Sequence, residues 1–312
     1  MKVLCIGEAL IDMICTDTNT SLSDANNFLK KAGGAPANVA AVIAALGGDV
    51  ALTAKVGSDP FGKYLIDTLE SFGVSTQWML KDDGHFTTLA FVSLVDEGER
   101  DFYFNRGADG WLSVDDIEKI DLSDISVVHF GSATAFLPGL LQKAYTVLLQ
   151  KAIAEKKFIS FDPNYRHLLF KDDQQRFIEQ SLHFIECCNF FKMSDEEALL
   201  ITNTTTLEEA VQVLEKLSDA SFAITLGKKG ALLAHQGKIV IVHGVPAIAV
   251  DTTGAGDAFV GSILFQLHRK STEEIQNLSA EEWKSIVYNA NKAGATTSEH
   301  IGAMEAFRHL AV

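Results

Sequence analysis

Strands and helices alternate along most of the chain, and this alternation restricts the fold more than any other feature of the sequence. Beyond residue 126, short apolar runs such as Val127–Phe130 and Phe158–Phe161 are separated by segments with helical spacing, such as Leu137–Ala154. This order predicts a mostly parallel central sheet with helices on both faces, because a parallel connection has to cross over the sheet. We therefore expect an α/β fold, with residues 1–312 forming one domain.

The composition is typical of a globular protein that acts on small molecules. Of the 312 residues, 47% are hydrophobic and 21% are charged, and the formal net charge is −15. Such an acidic chain repels nucleic acid and anionic membrane surfaces, so we expect neither as a partner. The four cysteines have no C-x-x-C spacing. The amino-terminal residues lack the layout of a signal peptide or a membrane span, so a cytoplasmic location is expected.

One region departs from the alternation of strands and helices. Residues 87–95 and 100–106 are both rich in β-branched and aromatic residues, with a short charged segment between them. No helical segment separates the two runs, which is typical of a β-hairpin. Within an α/β chain, such a hairpin predicts a small additional sheet that acts as a lid. The first strand, residues 3–7, is expected to continue to Asp12.

The segment Asp251–Val260 has the clearest chemical pattern in the chain. The apolar run Val245–Val250 precedes it and a helical pattern follows, so Gly254 and Gly256 are predicted in a strand-to-helix turn. Free amides and the positive end of a helix make such a turn an anion site. An acid there, Asp257, favours phosphoryl transfer with Asp257 as the base that accepts the proton of a hydroxyl. The alternative is an ordinary acidic residue in the first turn of a helix.

Two other phosphate-binding patterns are excluded in the sequence. The chain contains no G-x-x-x-x-G-K-[ST], so it has no P-loop. The Gly254-x-Gly256 pair lacks a third glycine three residues further on, because Phe259 occupies that position. This departure, together with the late position of the pair, argues against a dinucleotide-binding fingerprint.

Polar residues cluster after several of the predicted strands. The clusters lie at residues 8–12, 33–38, 162–166, 225–230 and 251–257. Each cluster alone also fits solvated strand ends, a plain glycine turn or a helix cap. The carboxyl ends of parallel strands meet at one edge of a sheet, which is where ligands bind in open α/β sheets. The convergence therefore favours a shared ligand site.

Two of these clusters carry motifs that resemble a known family. G-G-x-x-x-N at residues 33–38 and D-T-T-G-A-G-D at residues 251–257 resemble the ribokinase-like (PfkB-type) carbohydrate kinases, most closely the fructokinases. Residues 7–12 and 160–166 support the likeness, which extends over residues 7–303. The resemblance implies ATP-dependent phosphorylation of a small sugar, with D-fructose converted to D-fructose 6-phosphate. The alternatives are 2-keto-3-deoxygluconate, ribose or a nucleoside as substrate, or a non-catalytic sugar or nucleotide sensor.

The resemblance also implies roles for individual residues. The catalytic group would consist of a base and an anion hole of backbone amides: Asp257, with Gly254, Ala255 and Gly256. The sugar-binding group, with two arginines that face the sugar or the phosphates, would be Asp12, Gly33, Gly34, Asn38, Arg106 and Arg166. The nucleotide-binding group would be Lys192, Thr225, Gly227, Gly230 and Asn291.

The same resemblance implies metal ions and a partner. Glu197 would help to hold Mg²⁺ through water, and Asp251 and Thr253, with residues 295–303, would form a K⁺ site. Segments 12–32 and 86–108 would form the lid, with contacts for a homodimer. The sequence departs from the family pattern at two places. Ser194 replaces the usual Asn of N-x-x-E, and residues 298–305 lack the Arg and Pro that commonly surround Gly-Ala-Met. Ser194 and Glu197 also fit a plain helix cap.

Overall fold

The computed structural model describes residues 2–17, 19–94 and 100–311, which contain two β-sheets and their flanking helices. The strands are β1 (Lys2–Ile6), β2 (Leu10–Cys15), β3 (Phe28–Gly33), β4 (Val50–Gly57), β5 (Ser75–Asp82), β6 (Leu89–Leu94), β7 (Arg100–Asn105), β8 (Ile125–Phe130), β9 (Phe158–Phe161), β10 (Phe190–Ser194), β11 (Ser221–Thr225), β12 (Gly230–His235) and β13 (Lys238–His243). The helices are α1 (Ala35–Ala45), α2 (Pro60–Phe72), α3 (Val114–Glu118), α4 (Leu140–Ala154), α5 (His167–Phe170), α6 (Gln174–Cys187), α7 (Asp195–Thr202), α8 (Leu207–Leu217), α9 (Ala255–Leu267), α10 (Thr272–Gln276), α11 (Ala280–Ser298) and α12 (Ala303–Phe307).

The larger sheet has nine strands in the order β13-β12-β11-β10-β9-β8-β1-β4-β5. The strands from β11 to β5 are parallel to their neighbours. Strands β12 and β13 extend this sheet as an antiparallel hairpin at one edge. The arrangement confirms the predicted α/β fold with a mostly parallel central sheet.

Helices cover both faces of the large sheet, and alternate residues of its strands face the two sides. On the interior strand β1, Val3 and Cys5 lie in one hydrophobic core, with residues of α1, α2, α9, α11 and α12. Leu4 and Ile6 lie in the other core, with residues of α3, α4, α6, α7 and α8. A strand that is buried on both faces is apolar throughout, because successive side chains point in opposite directions. Among the helices in the described ranges, none combines the length and apolar character needed to cross a bilayer.

The small sheet consists of four strands in the order β3-β2-β6-β7. Strands β6 and β7 pair in antiparallel fashion, as the sequence predicts for a hairpin, and β2 and β3 form a second antiparallel pair. The two pairs join through parallel contacts between β2 and β6. The charged segment predicted as the turn of the hairpin, residues 96–99, lies outside the described residues.

The prediction that the first strand continues through residues 7–12 is wrong. Strand β1 ends at Ile6, and Leu10 begins β2 in the other sheet. The chain changes direction where Glu8 turns inward, and the carboxylate of Glu8 accepts a hydrogen bond from the amide of Ala35 at 3.1 Å. A hydrophobic pattern does not reveal this break, because both segments are apolar.

The apolar run Val245–Val250 is also not the predicted strand. Strand β13 ends at His243, and residues 244–250, which are all described, do not form a strand. Pro246 has no backbone donor for a strand ladder. The amide of Val250 donates instead to the carbonyl of Ser298 at 2.8 Å. An irregular segment therefore leads into the glycine turn.

Asp59 joins the start of α2 to Thr87, just before β6. Its carboxylate caps α2 by accepting hydrogen bonds from the amides of Phe61 (3.0 Å) and Gly62 (2.8 Å). It also accepts from the amide of Thr87 at 2.7 Å and from its hydroxyl at 2.8 Å. Burial alone would raise the pKa of Asp59, but these hydrogen bonds outweigh it and lower the pKa. One carboxylate thus fixes both a helix start and the base of the small sheet.

Replacing Asp59 is therefore expected to cost more than the loss of a helix cap alone. We expect Asp59→Ala to lower the free energy of unfolding by about 2 kcal/mol, the upper end for a lost cap, because the contacts to Thr87 are lost as well. The control is Thr206→Ala, which removes only the cap of α8 and is expected to cost about 1 kcal/mol. Urea unfolding followed by circular dichroism measures both. Equal losses would contradict the second role of Asp59.

Candidate active site

Helices α1 and α9 begin side by side, and their amino ends meet. Asn38, in the first turn of α1, donates a hydrogen bond from Nδ2 to Oδ2 of Asp257, in the first turn of α9, at 2.8 Å. Gly261 allows the two helices to pack closely, since a Cβ at that position would lie 2.6 Å from the Cβ of Val42. Both helix dipoles therefore favour negative charge at the same place.

Asp257 is a buried carboxyl group with a raised pKa. It is 9% exposed. Burial raises the pKa of Asp257 to about 7, although the hydrogen bond from Asn38 and the charge of Arg166 lower it. The nearby Asp162 raises this pKa and Lys192 lowers it. A carboxyl group with a pKa near 7 exchanges its proton readily at neutral pH, which suits a general base.

Gly254 shapes the turn that precedes α9. Its φ of 80° is in the left-handed region that favours glycine. A Cβ there would also lie 2.6 Å from the Cβ of Ala303, so the turn packs directly on α12. Of the three amides predicted for the anion hole, that of Ala255 donates to the carbonyl of Thr252 at 3.2 Å in this structure. A bound anion would therefore compete with that carbonyl for the amide.

Lys192 brings a buried positive charge to this turn. Its Nζ lies 3.1 Å from Oδ2 of Asp162, and a Cβ on Gly256 would lie 3.2 Å from the same nitrogen. Burial disfavours the charged amine, but the carboxylates of Asp162, Glu197 and Asp257 outweigh this effect and raise the pKa of Lys192. The ammonium group therefore stays charged beside the amides of the turn, which is suited to phosphate binding.

The other predicted sugar-side acid, Asp12, lies against Gly33 in the small sheet. A Cβ on Gly33 would overlap the carboxylate of Asp12, so any larger residue there would displace that carboxylate. Burial raises the pKa of Asp12 to about 6, while Arg166 opposes this rise and Glu8 adds to it. Since Arg166 lowers the pKa of both Asp12 and Asp257, its charge acts on both acids. The small sheet and the start of α9 thus share one electrostatic environment.

Comparison with known proteins places this chain in a family. Residues 1–309 match the family described as pfkB family carbohydrate kinase. The chain belongs to this family of carbohydrate kinases. It is 33% identical to a fructokinase of Vibrio alginolyticus over 313 residues, an alignment that covers 98% of this chain and 95% of that protein.

Two solved structures resemble the carbohydrate kinase over nearly its whole length. A fructokinase of Xylella fastidiosa with bound ATP has a TM-score of 0.86 at 29% identity, and the match covers 98% of this chain and 94% of that one. A fructokinase double mutant of Vibrio cholerae O395, bound to fructose, ADP and a potassium ion, has a TM-score of 0.84 at 30% identity, with 98% and 94% covered. These similarities confirm the predicted family and its ribokinase-like fold.

The positions predicted for the nucleotide lie near the edge of the kinase's large sheet. Thr225 is the last residue of β11. Gly227, with a φ of 56°, is open to its surroundings, since no atom of the described residues lies within 4 Å of a Cβ built on it. Gly230 packs against the carbonyl of Val242, which also accepts a hydrogen bond from Nδ2 of Asn291 at 3.0 Å. Gly230 and Asn291 thus hold the loop in place, while Gly227 leaves room beside it.

Glu197 has the contacts of a helix cap and of a loop clamp. Its Oε2 accepts a hydrogen bond from the amide of Ser194 at 2.7 Å, which completes a capping box on α7. Its Oε1 accepts from the amide of Tyr165 at 2.7 Å. Each oxygen keeps a lone pair in this arrangement, so Glu197 is held rigidly and still has acceptor capacity for water.

Asp251 ties together the two loops predicted for the monovalent cation. Its Oδ1 accepts hydrogen bonds from the amide (2.9 Å) and the hydroxyl (2.6 Å) of Thr253. Its Oδ2 accepts from the amide of Gly302 at 2.9 Å. The carboxylate therefore has a structural role in joining the glycine turn to the start of α12.

Arg106, directly after β7, joins the small sheet to the segment that follows β8 of the large sheet. Its Nε lies 3.4 Å from the carboxylate of Asp109, and its two terminal nitrogens donate to the carbonyls of Pro138 (3.2 Å) and Thr134 (3.1 Å). Within the described ranges, no hydrogen bond or ion pair joins Arg106 to Asp257. The structure thus brings Arg166, rather than Arg106, into electrostatic contact with the two acids.

A buried polar network beside the site joins Glu8, which belongs to the polar cluster predicted at residues 8–12, to Ser132, which the sequence patterns did not indicate. The carboxylate of Glu8 accepts hydrogen bonds from the hydroxyl of Ser132 and from the amide of Ala35, which follows Gly34 at the start of α1. Burial raises the pKa of Glu8, and these donors oppose the rise. The signal was present, because residues 131–134 are a polar cluster directly after β8, like the clusters that the sequence analysis selected.

His129 is a second buried group that the sequence did not reveal, because it lies inside an otherwise apolar strand. Its Nδ1 is 3.2 Å from the hydroxyl of Ser160. Burial, and to a lesser degree the charge of Lys192, lower the pKa of His129 to about 3. The imidazole is therefore neutral at physiological pH and has no role as an acid.

The raised pKa of Asp257 makes stability depend on pH. The carboxyl is expected to bind a proton in the folded state below pH about 7, whereas its usual value is 3.8. Ionisation in the folded state therefore costs stability as pH rises from about 4 to 7. Asp257→Asn removes this cost. The Tm of the variant minus the Tm of the wild type should therefore be larger at pH 8 than near pH 4. Differential scanning calorimetry measures it, with the exposed Asp49→Asn as the control that shows no such change. A constant difference would contradict the raised pKa.

Proposed function

We propose that this carbohydrate kinase transfers the γ-phosphoryl group of ATP to a hydroxyl of D-fructose and forms D-fructose 6-phosphate. The proposal depends on one observation: Asn38 donates to the buried carboxylate of Asp257, while no donor within the described residues reaches the buried Oδ1 of Asn38. A buried acceptor without a donor is costly. In this proposal, sugar binding moves the side chain of Asn38 so that a sugar hydroxyl donates to this acceptor, beside the proposed base. The fructokinases among the similar proteins support fructose as the sugar.

In this proposal, Asp257 accepts the proton of the sugar hydroxyl while the hydroxyl oxygen attacks the γ-phosphorus and ADP leaves. General base assistance of this kind contributes about 10²–10⁴-fold. The negative charge of the transferring group is stabilised by the amides of the turn at 254–256, by the positive end of α9 and by Lys192. Gly227 and its neighbours at the end of β11 leave room for the nucleotide.

We propose that Glu197 binds water molecules of Mg²⁺, which when bound neutralises charge on the phosphates of ATP. Mg²⁺ keeps most of its waters and uses phosphate oxygens rather than a cage of protein ligands. This fits the described part of the chain, which has no group of three or more His, Cys, Asp or Glu side chains able to hold a metal ion. We propose further that carbonyl groups around Asp251, Thr253 and 295–303 hold K⁺, as the potassium-bound fructokinase suggests.

We propose that the small sheet, with segments 12–32 and 86–108, is a lid that closes over the sugar. Asp12 on β2 lies on the sugar side of this sheet, and its pKa responds to Arg166. Closure excludes water, and this limits hydrolysis of ATP. The hydrogen bonds of Asp59 to Thr87 give the lid a fixed base about which to close.

We propose that the small sheet also carries the contact of a homodimer. Ile14 and Leu29 face each other in the register of β2 and β3, and they are 37% and 44% exposed. An apolar cross-strand pair that stays exposed in the monomer is better accommodated against a second copy. Leu29→Glu should then shift the molar mass from dimer to monomer in light scattering. An unchanged molar mass for wild type and variant would contradict this contact.

The choice of sugar is tested by an assay of ADP release across a panel of substrates. D-Fructose is expected to give the highest kcat/KM, ahead of ribose, 2-keto-3-deoxygluconate and nucleosides. Preference for another member of the panel would overturn the fructose assignment but not the kinase activity. Omission of Mg²⁺ should abolish turnover with every substrate, because ATP phosphates need charge neutralisation.

The base is tested by substitution and by pH. Asp257→Asn should lower kcat by about 10²–10⁴-fold and leave fructose binding nearly unchanged. Since the pKa of Asp257 is about 7, kcat/KM of the wild type should fall as pH drops below about 7. Asn38→Ala removes a hydrogen bond that lowers this pKa, so the acid limb should move to higher pH. Full turnover of Asp257→Asn would overturn the base assignment, and Asp49→Asn is the matched control.

A further inference from the structure

Strand β3 of the small sheet carries two consecutive lysines that anchor it to different parts of the kinase. Nζ of Lys30 lies 3.6 Å from the centre of the ring of Tyr64 on α2. Nζ of Lys31 lies 2.7 Å from Oε1 of Glu305 on α12. Successive side chains of a strand point to opposite faces, which explains the two directions. Among the ion pairs of the described residues, the pair of Lys31 and Glu305 is the one that joins the small sheet to α12.

At one end of this pair is the sugar side of the small sheet. Lys31 pairs with Asp12 in the register of β2 and β3. Gly33, two residues further along β3, is the residue against which the carboxylate of Asp12 lies. A displacement of β3 therefore moves the surface that positions Asp12.

At the other end of the pair is the segment that completes the anion turn. A Cβ on Gly302, just before α12, would lie 2.7 Å from Oε2 of Glu305 and 3.5 Å from Nζ of Lys31, so both side chains lie over that residue. The amide of Gly302 donates to Asp251 at 2.9 Å. One residue further on, Ala303 packs on Gly254. The ion pair is thus two contacts away from the turn that begins α9.

We propose that Lys31 and Glu305 form a positioning pair. The pair couples the position of the small sheet against the sugar to the geometry of the turn at residues 251–257 and of the proposed K⁺ site beside it. The side chains are 17% and 48% exposed. Ion pairs with this degree of exposure contribute little to folding, so the main effect of this pair is on position. The inference rests on the proposed sugar and K⁺ sites.

This coupling has a thermodynamic consequence. If closure of β3 on the sugar and ordering of the loop at 251–253 share the ion pair, then K⁺ raises the affinity for sugar, and sugar raises the affinity for K⁺ by the same factor. Removal of the pair breaks the link and leaves each site to bind alone. The effect is therefore expected mainly in the KM for sugar, with a smaller effect on kcat.

The test compares Lys31→Met, Glu305→Gln and the charge-reversed double variant Lys31→Glu/Glu305→Lys with the wild type. Each single variant should raise the KM for fructose about fivefold at saturating K⁺, to the value that the wild type shows without K⁺, and should abolish the effect of K⁺ on fructose affinity in calorimetric titrations. The double variant should recover the wild-type KM to within about twofold, because it restores an ion pair in the same place. Tm should stay near that of the wild type in all three.

Lys30→Met is the matched control, since it removes a lysine contact of the same strand that leads to α2 instead. It should leave the KM for fructose and its dependence on K⁺ unchanged. An equal rise of KM in Lys30→Met would show that any loosening of β3 is sufficient and would overturn the proposal. Failure of the charge-reversed variant to recover would overturn it as well.

Failure of the proposed sites is distinguishable from failure of the coupling. If the substrate panel selects another sugar, the same variants are measured with that sugar. If the wild type does not respond to K⁺, the K⁺ site and its link to the sugar are both refuted. A rise in KM in the single variants, reversed in the double variant, would then support only the positioning role of the pair.

Discussion

The hydrogen bond between Asn38 and Asp257 joins residues that are 219 positions apart, and the active site depends on it. It forms because α1 and α9 pack closely enough for their first turns to touch, and Gly261 permits that approach. The two motifs that gave the strongest signal in the sequence are thus the two halves of one contact. Nδ2 of Asn38 orients the carboxylate of Asp257, and Oδ1 of the same side chain is an acceptor beside that carboxylate. Loss of close packing between the two helices would separate Asn38 from Asp257, and with them the proposed sugar-binding group from the proposed base.

The site has to attract polyphosphate to a chain whose formal net charge is −15. In the proposed site, the positive charge is supplied locally by two helix amino ends, the buried ammonium of Lys192 and the guanidinium of Arg166. Lys192 is held in place by Asp162, so its charge is balanced before any anion arrives. An incoming phosphate therefore competes with a carboxylate for the lysine, which favours ligands that carry several negative charges.

Much of the fold could be predicted from local patterns, because the hydrophobic periodicity that distinguishes strands from helices involves residues close together in the chain. The convergence of polar clusters at strand ends also led to Asp257, Asn38 and Asp12. Sequence patterns were less informative where a side chain contacts residues that are far away in the sequence. Nothing near Arg106 indicates that it contacts Pro138 and Thr134, and hydrophobicity alone does not separate Val245–Val250 from a strand. Buried polar contacts such as that of Glu8 with Ser132 depend on the packed fold, so a single sequence shows only their component residues.

The packing of α12 on Gly254 has a consequence for how the enzyme is made. The turn at 251–257 is synthesised well before residues 303–307, against which its first glycine rests. A ribosome-bound chain that already contains Asp257, Lys192 and both glycine motifs therefore still lacks one wall of the proposed anion site. Because domains tend to fold as units during synthesis, the nascent polypeptide is expected to collapse around its sheet and yet remain unable to hydrolyse or transfer phosphate. Activity then begins only once α12 has been synthesised and has packed on Gly254.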